Sequence, residues 1–358
     1  MNITFLIGNG FDVNVGLETR YKNFLSYYVN VPNGDERIKR FKAEIGDDLD
    51  SWADFEKRFG EYTKEYTESD VDTLLFCQND FQENLSAYLI NEERKINYDS
   101  HEDEIISVFA NSIVNFELHF APKRQNTITE AMKPTGGEQI KYNFINFNYT
   151  GVLAQCIKMI AEAKQPLAIR QYYSTKIHDT IGELLHIHGT VENSMIIGVD
   201  NELQISNADM RLNEKFVKRF IKPKTNEGLN SLNDINAVRL IKRSRVICIF
   251  GMSLGETDAT WWKEIALWLQ ENTLNQLLIF IVKKEWNVVS PDNMFASEES
   301  IWDRFFKLTD FPEEGKELMK NRIHIAVNTN MFRVKLVDIE EDNVSKNEAE
   351  LIKILENI

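Results

Sequence analysis

Residues 3–12, ITFLIGNGFD, place a short apolar run directly before a glycine-rich turn. A run of this length and composition is typical of a buried β-strand. Gly8 and Gly10 permit backbone conformations in which amide groups approach an anion, and a following helix would add partial positive charge. The stretch therefore predicts the first strand of an α/β sheet, followed either by a phosphate or dinucleotide cradle or by a simple tight turn. Val13 departs from the strict dinucleotide-binding pattern.

Further apolar runs of strand length recur along the chain. They lie at residues 143–147, 184–188, 195–199, 246–250, 277–282 and 323–327. Between two of them, residues 254–272 carry apolar side chains at helical spacing. This alternation predicts a parallel sheet with helices on both faces.

The segment at 31–139 has no run typical of a buried strand and instead repeats apolar residues at helical spacing. We interpret it as a large helical insertion into a core formed by residues 1–30 and 140–340. The amphipathic pattern of residues 341–358 predicts a C-terminal helix. A lid, a scaffold, a regulatory element and a surface for homo-oligomer formation remain open as roles for the insertion.

The 358-residue chain has a net charge of −15, and 43% of its residues are hydrophobic. The acidic excess disfavours generic binding to nucleic acid. No stretch approaches the roughly 20 apolar residues of a membrane span, and the N-terminus lacks the basic region of a signal peptide, so no membrane association is expected. Three separated cysteines exclude a four-cysteine zinc site within the chain and a disulfide framework, which favours a cytoplasmic setting.

Two asparagines follow the second apolar run, at Asn146 and Asn148. They share one side of the strand if it continues that far. An asparagine at this place commonly caps the next helix. The alternative is that the Asn148 side chain faces a ligand at the strand end.

His186 and His188 share one strand face in the sequence HIHG. A metal site would need further ligands, such as Asp200, and the other four histidines have no supporting motif, so no metal ligand is assigned. Structural histidines are the simpler interpretation. His188 nevertheless ends an apolar strand just before a glycine, where catalytic side chains occur in open α/β sheets.

A second glycine junction, GMSLGETD at residues 251–258, follows the run at 246–250. Through Gly251 and Ser253 it could hold a phosphate or ribose. Ser253 is also suited to cap a helix, with Glu256 completing a capping box. Because parallel strands bring such ends to one edge, we expect these junctions to line a common crevice.

These motifs resemble those of the bacteriophage abortive-infection AbiH family, within the sirtuin-like superfamily. The similar segments are IGNGFD at 7–12, YKNFL at 21–25, WADFE at 52–56, FNYT at 147–150, HIHG at 186–189 and FGMSLGETD at 250–258. The resemblance implies a sirtuin-like Rossmann-type sheet and a role in antiviral defence by abortive infection.

Comparison with sirtuins implies roles for individual residues. Asn148 matches the asparagine of their Q-N-I-D segment, and His188 matches their catalytic base, so both are assigned to catalysis. The residues assigned to NAD are Gly8, Asn9, Gly10, Phe11, Asp12, Thr150, Gly251 and Ser253. This chain departs from the sirtuin motifs at three positions. Asp12 stands where sirtuins have a serine, Thr150 stands where they have an aspartate that positions NAD, and Tyr21 stands where they have an arginine. With no zinc ribbon available, the resemblance favours NAD binding over protein deacetylation.

The resemblance implies NAD as ligand and cleavage of its nicotinamide–ribose bond, the reaction of an NAD glycohydrolase. His188 would deprotonate water or a ribose hydroxyl, and the amides of Gly8, Gly10 and Phe11 would bind the pyrophosphate. Ser253 would bind a phosphate or the adenosine ribose. Three alternatives remain open: a non-catalytic sensor of NAD or an ADP-ribose-type nucleotide in a defence complex, a metal-dependent nuclease or hydrolase, and a structural partner in such a complex.

Overall fold

A seven-stranded sheet forms the centre of the protein. The computed structural model describes residues 1–134, 137–163, 166–283 and 291–337, so the helix predicted at 341–358 lies outside the described residues. The strands are β1 Asn2–Ile7, β2 Lys141–Asn146, β3 Ala168–Tyr172, β4 Thr175–His186, β5 Ser244–Phe250, β6 Gln276–Ile281 and β7 Ile323–Val327. Their order is β3-β4-β2-β1-β5-β6-β7, and every neighbouring pair is parallel except β3 with β4.

The strand order places a crossover beside β1. The chain adds β2 and β4 on one side of β1 and then returns to add β5, β6 and β7 on the other side. In open α/β sheets, ligands bind at such a crossover, outside the carboxyl ends of the strands. The predicted parallel α/β sheet is confirmed, whereas its sirtuin-like Rossmann assignment stays a prediction.

Helices cover both faces of the sheet. They are α1 Gly10–Asn14, α2 Tyr21–Tyr28, α3 Glu36–Asp47, α4 Phe55–Tyr62, α5 Val71–Glu93, α6 Glu102–Val114, α7 Pro122–Ala131, α8 Val152–Glu162, α9 Ala208–Leu212, α10 Glu214–Phe220, α11 Lys222–Gly228, α12 Asn233–Arg243, α13 Ala259–Glu271, α14 Pro291–Thr309 and α15 Glu313–Lys320. None of the described helices is long and apolar enough to cross a membrane.

The alternation of side chains along β1 divides the core into two layers. Phe5 faces α6, α8 and residues 331–336, and its ring stacks on Phe144 with centroids 5.4 Å apart. Leu6 faces the opposite layer, made by α12, α13 and α14. Both side chains are fully buried, which explains why this strand is almost continuously apolar.

The helical segment packs in two parts. Helices α3, α4 and α5 join α2 and residues 195–221 in a separate apolar cluster, whereas α6 and α7 pack against the sheet core. The prediction of a strand at 195–199 is wrong, because its apolar side chains face this helical cluster and only one bridge, between Val199 and Ile221, forms there. Sequence reasoning missed β3, which is a largely exposed edge strand.

Candidate functional site

A cavity of about 510 Å³ lies at the carboxyl ends of β1, β2 and β5, beside the crossover. This volume is in the range of small-molecule sites, roughly 300–1,000 Å³. Eight of the predicted site residues line it: Gly8, Asn9, Asp12, Asn148, Thr150, His188, Gly251 and Ser253. Helices of the separate cluster contribute further walls, including Tyr21 of α2 and Glu56 of α4.

The two glycine turns bind each other. The Gly8 amide donates to the Phe250 carbonyl at 3.0 Å, the Gly10 amide to the Gly251 carbonyl at 2.7 Å, and the Phe11 amide to the Gly8 carbonyl at 2.9 Å. These amides are therefore not free to bind a pyrophosphate, contrary to the prediction. Gly10 and Phe11 do not line the cavity, and the Phe11 ring is buried in the sheet core. The turn shapes the cavity wall instead.

Asp12 forms a buried polar group with two residues that follow β2. Asn148 Nδ2 donates to Asp12 Oδ1 at 3.1 Å, and Thr150 Oγ1 donates to Asp12 Oδ2 at 2.6 Å. Burial raises the pKa of Asp12 to about 7, against the opposing effect of the Thr150 hydrogen bond. A carboxyl group with this pKa exchanges its proton near neutral pH, as a general acid or base must.

Asn148 does not cap the next helix. Its backbone N–H donates to Asn146 Oδ1 at 3.2 Å, and α8 begins after Gly151 without a side-chain cap. Asn148 Oδ1 is buried and accepts no hydrogen bond from any described residue. A buried acceptor without a partner is costly, by about 1–3 kcal/mol, unless a ligand or water satisfies it. The Asn148 carbonyl is therefore suited to accept a hydrogen bond from a ligand in the cavity.

We expect Asp12→Asn to stabilise the fold at pH 8 by about 1–3 kcal/mol. Between about pH 4 and 7 the folded state keeps the Asp12 proton that the unfolded state releases, so this carboxyl group lowers stability as pH rises. The gain should shrink to well below about 1 kcal/mol near pH 4, where the folded state is protonated and the unfolded carboxyl group, with a pKa of 3.8, is close to half protonated. Urea unfolding at both pH values tests this; equal effects at the two would contradict it. Asp50→Asn, at an exposed carboxylate, is the control.

His188 lies two residues beyond the end of β4 and is buried. Its Nε2 is 3.6 Å from Asp258 Oδ1. Burial and the neighbouring charge of Lys222 lower the pKa of His188 to about 3, although Asp258 opposes this shift. The imidazole is therefore neutral at pH 7, with one nitrogen able to accept a proton.

His186 does not share the cavity with His188. Its Nδ1 lies 3.3 Å from Asn146 Nδ2, beside the turn that positions Asn148. Asp200, the carboxylate considered with these histidines, lies near the Thr260 amide at 3.4 Å. Among the residues that the structure describes, no group of three histidine, cysteine or acidic side chains is arranged to hold a metal ion.

A buried ion cluster forms the cavity wall that sequence reasoning missed. Lys222 Nζ lies 2.7 Å from Glu56 Oε2 and 3.0 Å from Asp258 Oδ1, and it donates to the Thr257 carbonyl at 3.2 Å. Burial raises the pKa of Glu56 to about 7. Burial also disfavours the charged forms of Lys222 and Asp258. Their mutual attraction outweighs this effect, so the pKa of Lys222 is raised and that of Asp258 is lowered.

Two features of the sequence could have pointed to this cluster. Glu56 lies in the WADFE segment that resembles AbiH proteins, and Asp258 ends the second glycine junction. Lys222 had no such signal, because it comes from an irregular segment rich in surface-type residues. Nothing in its local pattern indicates that the fold buries it.

Ser253 lies at the exposed mouth of the cavity. The prediction that it caps a helix is wrong, because α13 begins at Ala259, and a separate 3₁₀ turn at Glu256–Asp258 precedes it. The side chain is therefore available to a ligand.

Helix α5 holds the loop that follows His188. Gln78, Gln82 and Ser86 project at four-residue intervals, which places them on one helix face. They donate to the carbonyls of Ile197, Met195 and Val191 at 3.1, 2.6 and 3.0 Å, respectively. Farther along the helix, Glu93 accepts a hydrogen bond from the Gly151 amide. One helix thus fixes the loops after β2 and β4, which carry Asn148 and His188.

These features define an α/β protein with a ligand-sized cavity, lined in part by buried polar residues, at the crossover of an open sheet. The chain belongs to the bacteriophage abortive infection AbiH family, whose family model matches residues 4–280. This membership supports a role in abortive infection in response to bacteriophage. A comparison with individual curated proteins gave no match. The AbiH resemblance of the motifs is therefore confirmed, whereas the sirtuin-like superfamily stays a prediction.

Proposed function

We propose that this AbiH protein binds NAD⁺ in the cavity and hydrolyses its nicotinamide–ribose bond, so that loss of NAD⁺ arrests the infected cell. The supporting observation is the meeting of three buried residues, Asp12, Asn148 and His188, on the wall of one cavity. They follow three different strands, β1, β2 and β4, and Asn148 joins Asp12 directly. Such convergence at a crossover is characteristic of binding sites in open α/β sheets.

The fit to NAD⁺ rests on two properties of the cavity. The unpartnered Asn148 Oδ1 needs a hydrogen-bond donor, and NAD⁺ has ribose hydroxyls and a carboxamide that can provide one. Asp12 also provides a carboxylate close to position 150, where sirtuins have an aspartate. The Thr150 hydroxyl donates to it at 2.6 Å, so the charge that Thr150 lacks is present on its neighbour.

In the proposed reaction the bond between ribose C1′ and the nicotinamide nitrogen breaks, and its electron pair stays on nicotinamide. The oxygen of water forms a bond to C1′, and the water loses one proton. Neutral His188 accepts this proton, and Asp258 stabilises the imidazolium that results. A weak base suffices, because an oxocarbenium-like centre is strongly electrophilic. The ionised form of Asp12 favours the positive charge that develops on the ribose.

Incubation of the purified chain with NAD⁺ and an extract of phage-infected cells, followed by separation of products, tests the proposal. We expect nicotinamide and ADP-ribose from the wild type, and at least about a 100-fold lower rate from His188→Ala and from Asn148→Ala. His178→Ala, at an exposed position on β4, is the matched control and should retain the wild-type rate.

Two results would change the proposal. Undiminished turnover in both variants would remove His188 and Asn148 from the mechanism. Tight calorimetric binding of NAD⁺ or ADP-ribose that leaves the ligand intact, with extract present, would instead support the nucleotide sensor.

A further inference from the structure

The inner wall of the cavity has an excess of acidic side chains. Asp12, Glu56 and Asp258 provide three carboxyl groups, whereas Lys222 is the buried basic residue of the described lining. Arg20 and Lys22 also line the cavity, but both are exposed at its mouth. His188 is neutral at pH 7. With every carboxyl group ionised, the inner wall would have two negative charges more than positive ones.

The hydrogen bonds show which charges lack compensation. Glu56 and Asp258 both contact the Lys222 ammonium group, so one cation serves two carboxylates. Asp12 accepts hydrogen bonds from Asn148 and Thr150, which are neutral donors. Buried ions without a partner of opposite charge are unfavourable, so protons replace the missing positive charge in the protein alone. Burial is the main cause of the raised pKa values of Asp12 and Glu56; the Thr150 hydrogen bond opposes it for Asp12 and the shared Lys222 opposes it for Glu56, without restoring the ordinary values.

A second observation points to a ligand at this wall. Asn148 is only 4% exposed, its side chain contacts Asp12, and its Oδ1 has no partner among the described atoms. A bound group that donates a hydrogen bond would satisfy it. Tyr21 and Tyr149 line the same cavity, and their aromatic faces attract cations. The wall therefore matches a positively charged ring that carries an amide donor.

We infer that the inner cavity selects a cationic N-substituted pyridinium ring, so that the protein discriminates oxidised from reduced nicotinamide nucleotides at the binding step. The identity of the nucleotide rests on the proposed function, whereas the requirement for positive charge rests on the uncompensated carboxyl groups. In NAD⁺ the ring has this positive charge, and in NADH the ring is neutral. Both forms have the same carboxamide donor for Asn148, so charge distinguishes them.

Titration calorimetry with the full chain tests the inference. We expect carbocyclic NAD⁺, which cannot lose its nicotinamide, to bind at least about tenfold more tightly than NADH, as one additional charge contact at a partly buried site would give. The cation 1-methylnicotinamide should likewise bind more tightly than neutral nicotinamide. Asp12→Asn and Glu56→Gln, the two inner variants, should each narrow both affinity ratios to less than about threefold. Asp72→Asn is the control, because Asp72 and its partner Lys215 are both exposed and lie outside the lining, and it should leave both preferences unchanged.

The probes separate this inference from the proposed function. Equal binding of carbocyclic NAD⁺ and NADH would overturn the inference and leave NAD⁺ binding intact. A preference for 1-methylnicotinamide without binding of either dinucleotide would support the cation site and contradict NAD⁺ as substrate. The inference would be overturned if none of the four probes bound. It would also be overturned if both inner variants kept the wild-type preference for the cationic probes.

Discussion

Lys222→Met is expected to lower the free energy of unfolding by about 3–5 kcal/mol at pH 8, the usual cost of removing one partner from a buried ion pair. Methionine is of similar length, but it leaves the buried Glu56 and the partly buried Asp258 without their shared cation. The Thr257 carbonyl also loses its donor. Urea unfolding with linear extrapolation provides the measurement.

The loss in the free energy of unfolding caused by Lys222→Met should depend on pH. Without the ammonium group, the pKa of Glu56 in the folded state rises further above its unfolded value, and that of Asp258 loses the attraction that lowers it in the wild type, so the folded state holds protons that the unfolded state releases. The loss should therefore be largest above pH 7 and shrink toward pH 4. Adding Glu56→Gln to this variant should recover part of the lost free energy of unfolding, because it removes one of the two carboxylates that have no cation.

Lys215→Met is the matched control, since Lys215 pairs with Asp72 on the surface. Exposed pairs contribute about 0–1 kcal/mol, so we expect little change. A loss from Lys222→Met no greater than that of this control would show that the cluster does not stabilise the fold.

Gly251→Ala is expected to lower the free energy of unfolding by about 2–4 kcal/mol. Gly251 has φ of +71°, in the left-handed region that disfavours other residues. An added Cβ would lie 2.6 Å from the Phe11 nitrogen and 2.9 Å from the Gly10 Cα. These are backbone atoms, so relief requires β5 and the turn after β1 to separate.

The same separation should impair the cavity, because the bond from the Gly10 amide to the Gly251 carbonyl holds the two turns together. We therefore expect weaker ligand binding as well as lower stability. Gly255→Ala is the control for the loss of stability: the φ of Gly255 is −85°, and an added Cβ would meet no heavy atom closer than 3.7 Å. Equal stability of the two variants at 25 °C would contradict the steric argument.

Much of the sheet was predictable because its central strands are buried on both faces. The runs around β1, β5, β6 and β7 are nearly all apolar, and this requirement leaves a clear local pattern. The edge strand β3 has no such requirement and therefore no such pattern. Residues 195–199 show the converse error, since an apolar run indicates burial but does not say whether the partner is a strand or a helix.

The candidate site was predictable where motifs end strands. Asp12, Asn148 and His188 follow parallel strands, so their arrival at one edge is a consequence of topology. The glycine amides were predicted incorrectly, because local sequence does not reveal that the turn after β1 and the turn after β5 satisfy each other. Helix α5 was predictable as a helix, but not as the support of the His188 loop, since its polar residues are of types common on exposed faces.

Local sequence is enough to predict the parallel strands, the long helical segment and the polar residues at the strand ends, because each is encoded in neighbouring residues. The meeting of Glu56, Lys222 and Asp258 in one cluster beside His188 is visible in the folded protein alone. Acidic and basic side chains are usually exposed, and their local patterns do not distinguish the few that become buried. Their burial depends on how the helical cluster packs over the sheet crossover, and it follows from contacts between segments far apart in the chain.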